Sequence, residues 1–178
     1  EPSMALLADR PAERPGTVVT ASMEGSRCLL LEIQALVAPG YPGSTRRTAL
    51  GVDGGRLAML VAVLGKAEFT LHDKDVYVNV VGGVRVTETA ADLAVCAAVV
   101  GSLMGRPLGN DWLVLGEVGL TGETRRVARL DQRLAEAARH GFKRVLVPKP
   151  PDKFRPPEGI SLIGVTSLEQ AMQQLFFE

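Results

Sequence analysis

Two kinds of hydrophobic pattern alternate along this 178-residue chain. Runs that alternate apolar and polar positions, or that are rich in β-branched residues, are typical of β-strands. They occupy residues 17–25, 26–38, 75–81, 143–148 and 160–165. Runs whose apolar residues recur every three or four positions predict α-helices. They occupy residues 54–66, about 90–104, 129–141 and 166–177.

Turn and cap residues punctuate these runs. Gly25 and Ser26 predict a hairpin between the first two strands, and residues 120–122 predict a glycine turn that joins two strands within 111–127. Asp53 is suited to cap the first long helix. Hairpins and crossovers occur together, so the chain is predicted to be an α+β protein with a mixed sheet covered by helices.

Helix ends are signalled in the C-terminal third. Gly141 follows a helical pattern and predicts a left-handed stop. Thr166 and Glu169 have the spacing of a capping box and predict the start of the last helix.

The first 16 residues carry proline and charge without periodicity. We expect residues 1–16 to be a tail or linker and residues 17–178 to form one domain, since a chain of this length fits a single domain. The first residue is Glu rather than Met, which suggests a fragment of a longer protein.

Composition narrows the class of protein. A hydrophobic content of 46% with 22% charged residues is typical of a globular protein, and 4% aromatics predicts an aliphatic core. Cys28 and Cys96 lie in apolar runs and are expected to be buried, reduced thiols. His72 and His140 are isolated, which argues against a metal site. Neither a signal peptide nor a membrane-length apolar run is visible.

The formal net charge of zero hides an asymmetry. Between residues 125 and 149, eight Lys or Arg face only Asp131 and Glu136, which gives +6. A helix that started near Arg126 would place Arg126, Arg129 and Arg133 on one face. Such a row can bind phosphates, or it can be an ordinary ion-paired surface, and the sequence leaves both open.

The segment from Val80 to Val100 has the layout of an active site: a strand, a glycine pair and a helix start. It completes no phosphate-binding glycine motif and no GxSxG motif. Thr87, Glu88 and Thr89 are predicted to cap the helix and to touch a neighbouring subunit. Glu88 and Asp92 are four residues apart. They could act as an acid pair or lie on a solvent-exposed helix face, and the sequence leaves both alternatives open.

Three ordered motifs resemble the bacterial RadA (Sms) family of RecA-related DNA-repair ATPases. They are NVVGGVRVTETAADLA, LVLGEVGLTGETRRV and EAARHGFKRVLVPK. The resemblance covers nearly the whole chain and corresponds to the C-terminal region of that family. It implies the fold of the Lon proteolytic domain and of ribosomal protein S5 domain 2.

Lon works with a serine–lysine dyad, and the resemblance places both positions in this chain. The serine position falls on Ala90, the family's glycine pair on Ala128 and Arg129, and the lysine position on Asp131. Alanine has no nucleophile and aspartate is no amine base. The resemblance therefore implies that peptidase activity is absent. A residual hydrolase that uses Thr87, Thr89 or Cys96 is the remaining catalytic alternative.

The resemblance also implies a role in hexameric ring assembly and in binding the DNA backbone during recombinational repair. The alternative is a purely structural oligomerisation domain. Family members often have proline where this chain has Arg126. The candidate DNA-binding residues are Arg46, Arg47, Arg56, Arg125, Arg126, Arg129 and Arg133.

The remaining parts of the family would lie before residue 1. They are a zinc finger, a P-loop ATPase core and the KNRFG motif, so ATP, Mg and Zn are expected there and no cofactor in this fragment. The full-length enzyme would act on DNA with ATP. The expected partners are DNA, further copies of the chain and a RecA-type recombinase, in the cytoplasm.

Overall fold

The computed structural model describes residues 2–178. In chain order the elements are α1 (Pro2–Leu7), β1 (Thr17–Glu24), β2 (Arg27–Pro39), β3 (Arg47–Leu50), α2 (Gly54–Lys66), β4 (Lys74–Val80), a 3₁₀ turn (Thr89–Ala91), α3 (Asp92–Met104), β5 (Trp112–Val114), β6 (Glu117–Val118), β7 (Thr124–Arg125), α4 (Leu130–Arg139), β8 (Arg144–Pro148), β9 (Ser161–Val165) and α5 (Leu168–Phe176). Within the described part of the chain, none of the helices has both the length and the apolar character of a membrane span.

The larger sheet has four strands in the order β1-β2-β4-β3. The β1–β2 hairpin runs from the pair Thr17–Gln34 to the pair Glu24–Arg27, which confirms the predicted turn at Gly25 and Ser26. Strand β4 is antiparallel to β2, and the edge strand β3 is parallel to β4. Strands β5, β8 and β9 form a second, parallel sheet, so the chain is a mixed α/β protein with parallel and antiparallel strands.

Helix α3 lies at the centre of the molecule. Every residue from Asp92 to Gly101 is buried, and the helix packs against β1, β2, α2 and α5. Its Ala94, Ala97 and Ala98 are fully buried, and their small side chains let neighbouring elements approach closely. The alanine-rich sequence is therefore explained by packing on all sides.

Strand β1 contributes to two hydrophobic cores because successive side chains point to opposite faces. Val18 faces the larger core, which α2, α3 and α5 cover. Val19 faces a smaller core, which contains Leu113, Leu134 and Val145. The larger sheet is therefore buried on both faces along β1 and the first half of β2.

The outer face is uncovered where β2, β4 and β3 run on beyond the smaller core. Leu36 lies beside Tyr77 on the neighbouring strand, and Tyr77 lies beside Thr48. Leu36 is 59% exposed and Leu50 is 65% exposed. This part of the sheet presents apolar side chains to solvent at its edge.

The N-terminal segment, which we predicted to be a tail, is docked on the domain. Ser3 is fully buried, and its hydroxyl donates to a carboxylate oxygen of Glu136 at 2.6 Å and accepts from the backbone N–H of Leu30 at 3.0 Å. Farther along, Arg10 stacks on Phe142. Residues 2–16 thus belong to the folded body, because they satisfy polar groups that would otherwise be buried alone.

Two of the predicted helix ends, at Asp53 and Gly141, are confirmed, and a third, at the start of α5, is displaced by one residue. The Asp53 side chain accepts from the N–H of Arg56, and Gly141 has a φ of +85°, which confirms both predictions. At α5, however, the cap is Ser167, which accepts from the N–H of Gln170. Thr166 precedes the cap, so the predicted box is shifted by one residue.

Candidate functional site

Ala90 lies in the 3₁₀ turn that leads into α3, and it is buried. Its carbonyl oxygen accepts from the N–H of Gly116 at 2.8 Å, and the carbonyl of Gly116 accepts from the N–H of Leu93 at 3.0 Å. Gly116 has a φ of +146°, and a Cβ there would stand 2.6 Å from the Leu93 side chain. Backbone contacts therefore fix the helix start, and Ala90 offers no reactive atom.

A partly buried ion pair joins this turn to helix α4. The Arg133 guanidinium contacts both carboxylate oxygens of Glu88 and donates to the carbonyl oxygens of Ala21 and Ala128 at 2.7 and 2.9 Å. The Arg133 side chain is only 2% exposed. Glu88 also accepts from the N–H of Met23 at 3.3 Å. Hence Arg133 is an internal brace in this structure, and its guanidinium does not lie on the surface that the prediction of a DNA contact requires.

The predicted arginine row does not form. Helix α4 begins at Leu130, and Arg129 before it has a left-handed φ of +56°. Arg126 therefore precedes the helix, while Arg133 points into the protein. Asp131 is exposed in the first turn of α4, and its Oδ1 accepts from the N–H of Gln132 at 2.9 Å.

The caps predicted from Thr87, Glu88 and Thr89 are also absent. Neither the 3₁₀ turn nor α3 receives a side-chain cap. The Glu88 carboxylate is committed to Arg133 instead. Thr87 and Thr89 are exposed.

Asp92 does not form an acid pair with Glu88, because it binds a different arginine. The Arg56 guanidinium contacts both of its carboxylate oxygens, and the N–H of Val118 donates to it at 3.0 Å. Burial raises the pKa of the Asp92 carboxyl, and the bonds from Arg56 and Val118 oppose that rise. The bond to Asp92 in turn raises the pKa of Arg56. This pairing occupies the guanidinium, so Arg56 is no free phosphate contact.

A cleft of about 200 Å³ lies between the start of α2 and the segment before α3. Its floor is apolar, with Leu57, Leu60 and Val86 among the lining residues. Asp53 and Glu88 contribute carboxylates to the lining. A small apolar cleft with acidic groups suits a single apolar side chain better than a cofactor, since ligand pockets measure about 300–1,000 Å³.

Four of the predicted arginines are exposed: Arg46, Arg125, Arg126 and Arg129. Arg125 pairs with Glu123 at 2.8 Å. Arg126 donates to the carbonyl of Lys149 at 2.8 Å, which places two exposed cations together. In contrast, Arg47 is half-buried and donates to the carbonyls of residues 46, 71 and 74.

The candidate nucleophile Cys96 and two further groups, the Cys28 thiol and the Ser102 hydroxyl, sit in unreactive surroundings. Cys96 is completely buried, and burial raises the pKa of its thiol strongly. Burial also raises the pKa of the Cys28 thiol, to about 11. The Ser102 hydroxyl accepts from the N–H of Val37 at 3.0 Å. Within residues 2–178, no cluster of three or more His, Cys, Asp or Glu residues could hold a metal ion.

Sequence reasoning missed the two ion pairs that organise the site. Arg56 and Asp92 are 36 residues apart, and Arg133 and Glu88 are 45 residues apart. Neither separation matches a local motif. The sequence held only a weak indication of these pairs. Two carboxylates, Glu88 and Asp92, lie near a helix start, and buried carboxylates require cationic partners.

Comparisons with known proteins place this chain among bacterial relatives. A family model described as subunit ChlI of Mg-chelatase matches residues 58–150, just over half of the chain. The DNA repair protein RadA of Pseudomonas aeruginosa is 51% identical over 98% of the chain, and that alignment covers 39% of the relative. RadA proteins of Escherichia coli and Halalkalibacterium halodurans are 46% and 45% identical over 96% and 97% of the chain, with 37% and 38% of their own lengths covered.

The chain spans less than two fifths of the length of these relatives. The similarity nevertheless extends over nearly every residue of the chain itself. We conclude that this chain belongs to the family described as subunit ChlI of Mg-chelatase and is homologous over almost its entire length to bacterial proteins named DNA repair protein RadA.

Proposed function

We propose that the chain is a non-catalytic, Lon-protease-like domain of a RadA-type DNA repair protein, and that it supports ring assembly and binds the DNA backbone. The high identity to proteins named RadA supports the repair role. This identity carries the proposal more than the match to the ChlI family does, because it extends over nearly the whole chain.

The residues at and near the expected dyad positions support the absence of protease activity. Ala90 has no nucleophile, and Asp131 is a solvent-exposed carboxylate in the first turn of α4. Two residues from each position, Glu88 and Arg133 bind each other. A serine–lysine dyad needs a free hydroxyl and a neutral amine at these positions. In this chain an ion pair that joins two segments lies beside them instead.

Contact with the DNA backbone is carried by one observation: Arg46, Arg126 and Arg129 are exposed, and no carboxylate within residues 2–178 pairs with them. Arg125 adds a fourth exposed guanidinium, already shared with Glu123. Guanidinium groups bind phosphate oxygens in a bidentate manner without reading bases. Nucleic acid bound this way would show no sequence preference.

A titration of labelled duplex DNA, followed by fluorescence anisotropy at several salt concentrations, tests this role. Each lost phosphate contact should flatten the log–log salt dependence by about 0.9. We expect Arg126→Glu and Arg129→Glu, each made singly, to weaken binding, while Lys66→Glu, a single charge reversal at the end of α2, serves as the charge-matched control for each. An equal effect of the control would remove the arginines from the site.

The second candidate is a purely structural oligomerisation domain. The exposed Leu36 and Leu50 on the uncovered sheet favour it, because large apolar side chains grouped on a surface mark contact sites. Light scattering that shows a multimer, together with no DNA affinity at moderate salt, would establish this candidate and end the DNA-binding proposal.

The whole protein would supply the remaining parts. We propose that ATP, Mg and Zn are bound by regions outside this chain, that the assembly is a homo-hexamer in the cytoplasm, and that a RecA-type recombinase is a further partner. Each of these rests on the similarity to RadA and not on a site within residues 2–178.

A further inference from the structure

A rigid hairpin projects an exposed leucine from the molecule. Strands β6 and β7 are joined by a turn at whose tip Leu120 is 70% exposed. Within the turn, the N–H of Gly119 donates to the carbonyl of Glu123 at 2.8 Å. The Glu123 carboxylate accepts from the N–H of Thr121 at 3.2 Å and from Arg125 Nε at 3.0 Å.

Backbone hydrogen bonds to the start of α5 also hold the hairpin. The N–H of Leu168 donates to the carbonyl of Gly122 at 2.8 Å, and the N–H of Thr124 donates to the carbonyl of Thr166 at 3.1 Å. The leucine is thus held in place before any partner arrives. A contact made by a preorganised group loses less entropy on binding than one made by a flexible loop.

The cleft beside α2 has the matching properties. Its volume of about 200 Å³ and its floor of Leu57, Leu60 and Val86 suit one aliphatic side chain. The charges match as well: Asp53 at the cleft and Arg126 after the hairpin are each exposed, and neither has an ion-pair partner within residues 2–178. A cation that follows an apolar side chain would therefore meet the Asp53 carboxylate, which caps α2 but has no ion-pair partner within residues 2–178.

We propose that this cleft receives the β6–β7 hairpin of a second copy of the chain, with Leu120 on the apolar floor and Arg126 facing Asp53. The proposal rests on the self-association in the proposed function and names its surface. Cleft and hairpin are neighbours on one side of the molecule, since Arg56 at the cleft donates to the carbonyl of Val118 in β6 at 3.0 Å.

Because the β6–β7 hairpin and the cleft lie side by side on each copy, we expect the contact between two copies to be reciprocal. Each copy offers the same patch, and the two copies exchange their leucines about a two-fold axis. The contact closes a pair, so a second, different interface would be needed to join three such pairs into the proposed hexamer.

Light scattering of the 178-residue chain over a concentration series tests the contact. We expect wild-type pairs, and we expect Leu120→Glu to raise the dissociation constant by about tenfold or more, since it places a charge on an apolar floor. Met4→Glu is the matched control, because Met4 is 64% exposed but lies in α1, outside both the hairpin and the uncovered sheet. It should leave association unchanged.

A second variant tests the charge without disturbing the fold. Asparagine caps helices as well as aspartate does, so Asp53→Asn keeps the α2 cap and removes only the carboxylate charge. It should weaken pairing a few-fold at low salt and reduce the salt dependence of pairing. No change in either quantity would show that Asp53 takes no part in the contact.

The outcomes separate this inference from the proposed function. A monomeric wild type, or dissociation by Met4→Glu rather than by Leu120→Glu, would overturn the hairpin contact. In either case DNA binding, measured on the same samples, would decide the backbone-binding role independently. A chain that neither pairs nor binds DNA would overturn both.

Discussion

At the scale of single residues, burial decides which arginines are available to a partner. Arg133 belongs to the basic segment by sequence, yet its guanidinium lies inside the protein with Glu88 and two carbonyls. Arg56 is similarly occupied by Asp92. Charge counted along a sequence therefore overstates the cationic surface, because long arginine side chains also serve as buried braces.

Arg133→Ala is expected to destabilise the protein by about 2–3 kcal/mol, because it empties a buried position and leaves the Ala21 carbonyl and the partly exposed Glu88 carboxylate without their donor. Arg129→Ala is the control. Arg129 is exposed and donates only to the carbonyl of Gly25, so its loss should cost about 0.5 kcal/mol or less. Urea unfolding followed by circular dichroism measures both values. Similar losses for the two variants would contradict the structural role of Arg133.

The Cys28 thiol should react slowly with alkylating agents. Its pKa is raised to about 11 by burial, so at pH 8 the thiolate fraction is about a hundredfold smaller than in a free cysteine. Iodoacetamide labelling followed by mass spectrometry checks this, with the urea-unfolded chain as the reference. Cys96 should label still more slowly, because it is reached only when α3 opens. Rapid labelling of native Cys96 would be inconsistent with its burial.

At the scale of elements, the sequence predicts whatever depends on neighbours along the chain. The β1–β2 hairpin, the Asp53 cap and the glycine stop at residue 141 follow from local residue preferences, and all three are confirmed. The start of α4 and the role of residues 2–16 depend on distant partners such as Gly25 and Glu136, which no local pattern encodes. The two ion pairs of the candidate site were not predicted for the same reason, since both of them are long-range.

The contact of Ser3 with the body makes α1 part of the fold. Ser3→Ala should cost about 1–3 kcal/mol, because the Leu30 N–H and a Glu136 oxygen would each lose a bond inside the protein. Met4→Ala, at a side chain 64% exposed in the same helix, should cost little and controls for helix propensity. Thermal unfolding compares the two. Equal melting temperatures would show that α1 contributes nothing to stability.

At the scale of the whole molecule, strands β1 and β2 couple the two cores. Leu30 faces the smaller core, and the next residue, Leu31, faces the larger one. A change on one side of the sheet therefore acts on the other through the same backbone. This arrangement predicts a single cooperative unfolding transition rather than two.

Leu134→Ala tests that coupling. Leu134 is fully buried in the smaller core, and the change should cost about 2–5 kcal/mol. Trp112, the only tryptophan, contributes to the larger core and reports on it by fluorescence. We expect fluorescence and circular dichroism to shift to the same lower urea midpoint. Separate midpoints would show that the cores unfold independently.

The uncovered end of the larger sheet affects the tendency of the protein to aggregate at high concentration. Strand β3 is an edge, and apolar side chains stand on its open face, which is the combination that invites stacking into fibres. Arg46 and Arg47 stand where that edge begins, one exposed and one folded back onto carbonyls of the neighbouring loop. Because positive charge at this place repels a second edge of the same kind, we expect these arginines to oppose misassembly, whatever else they contact.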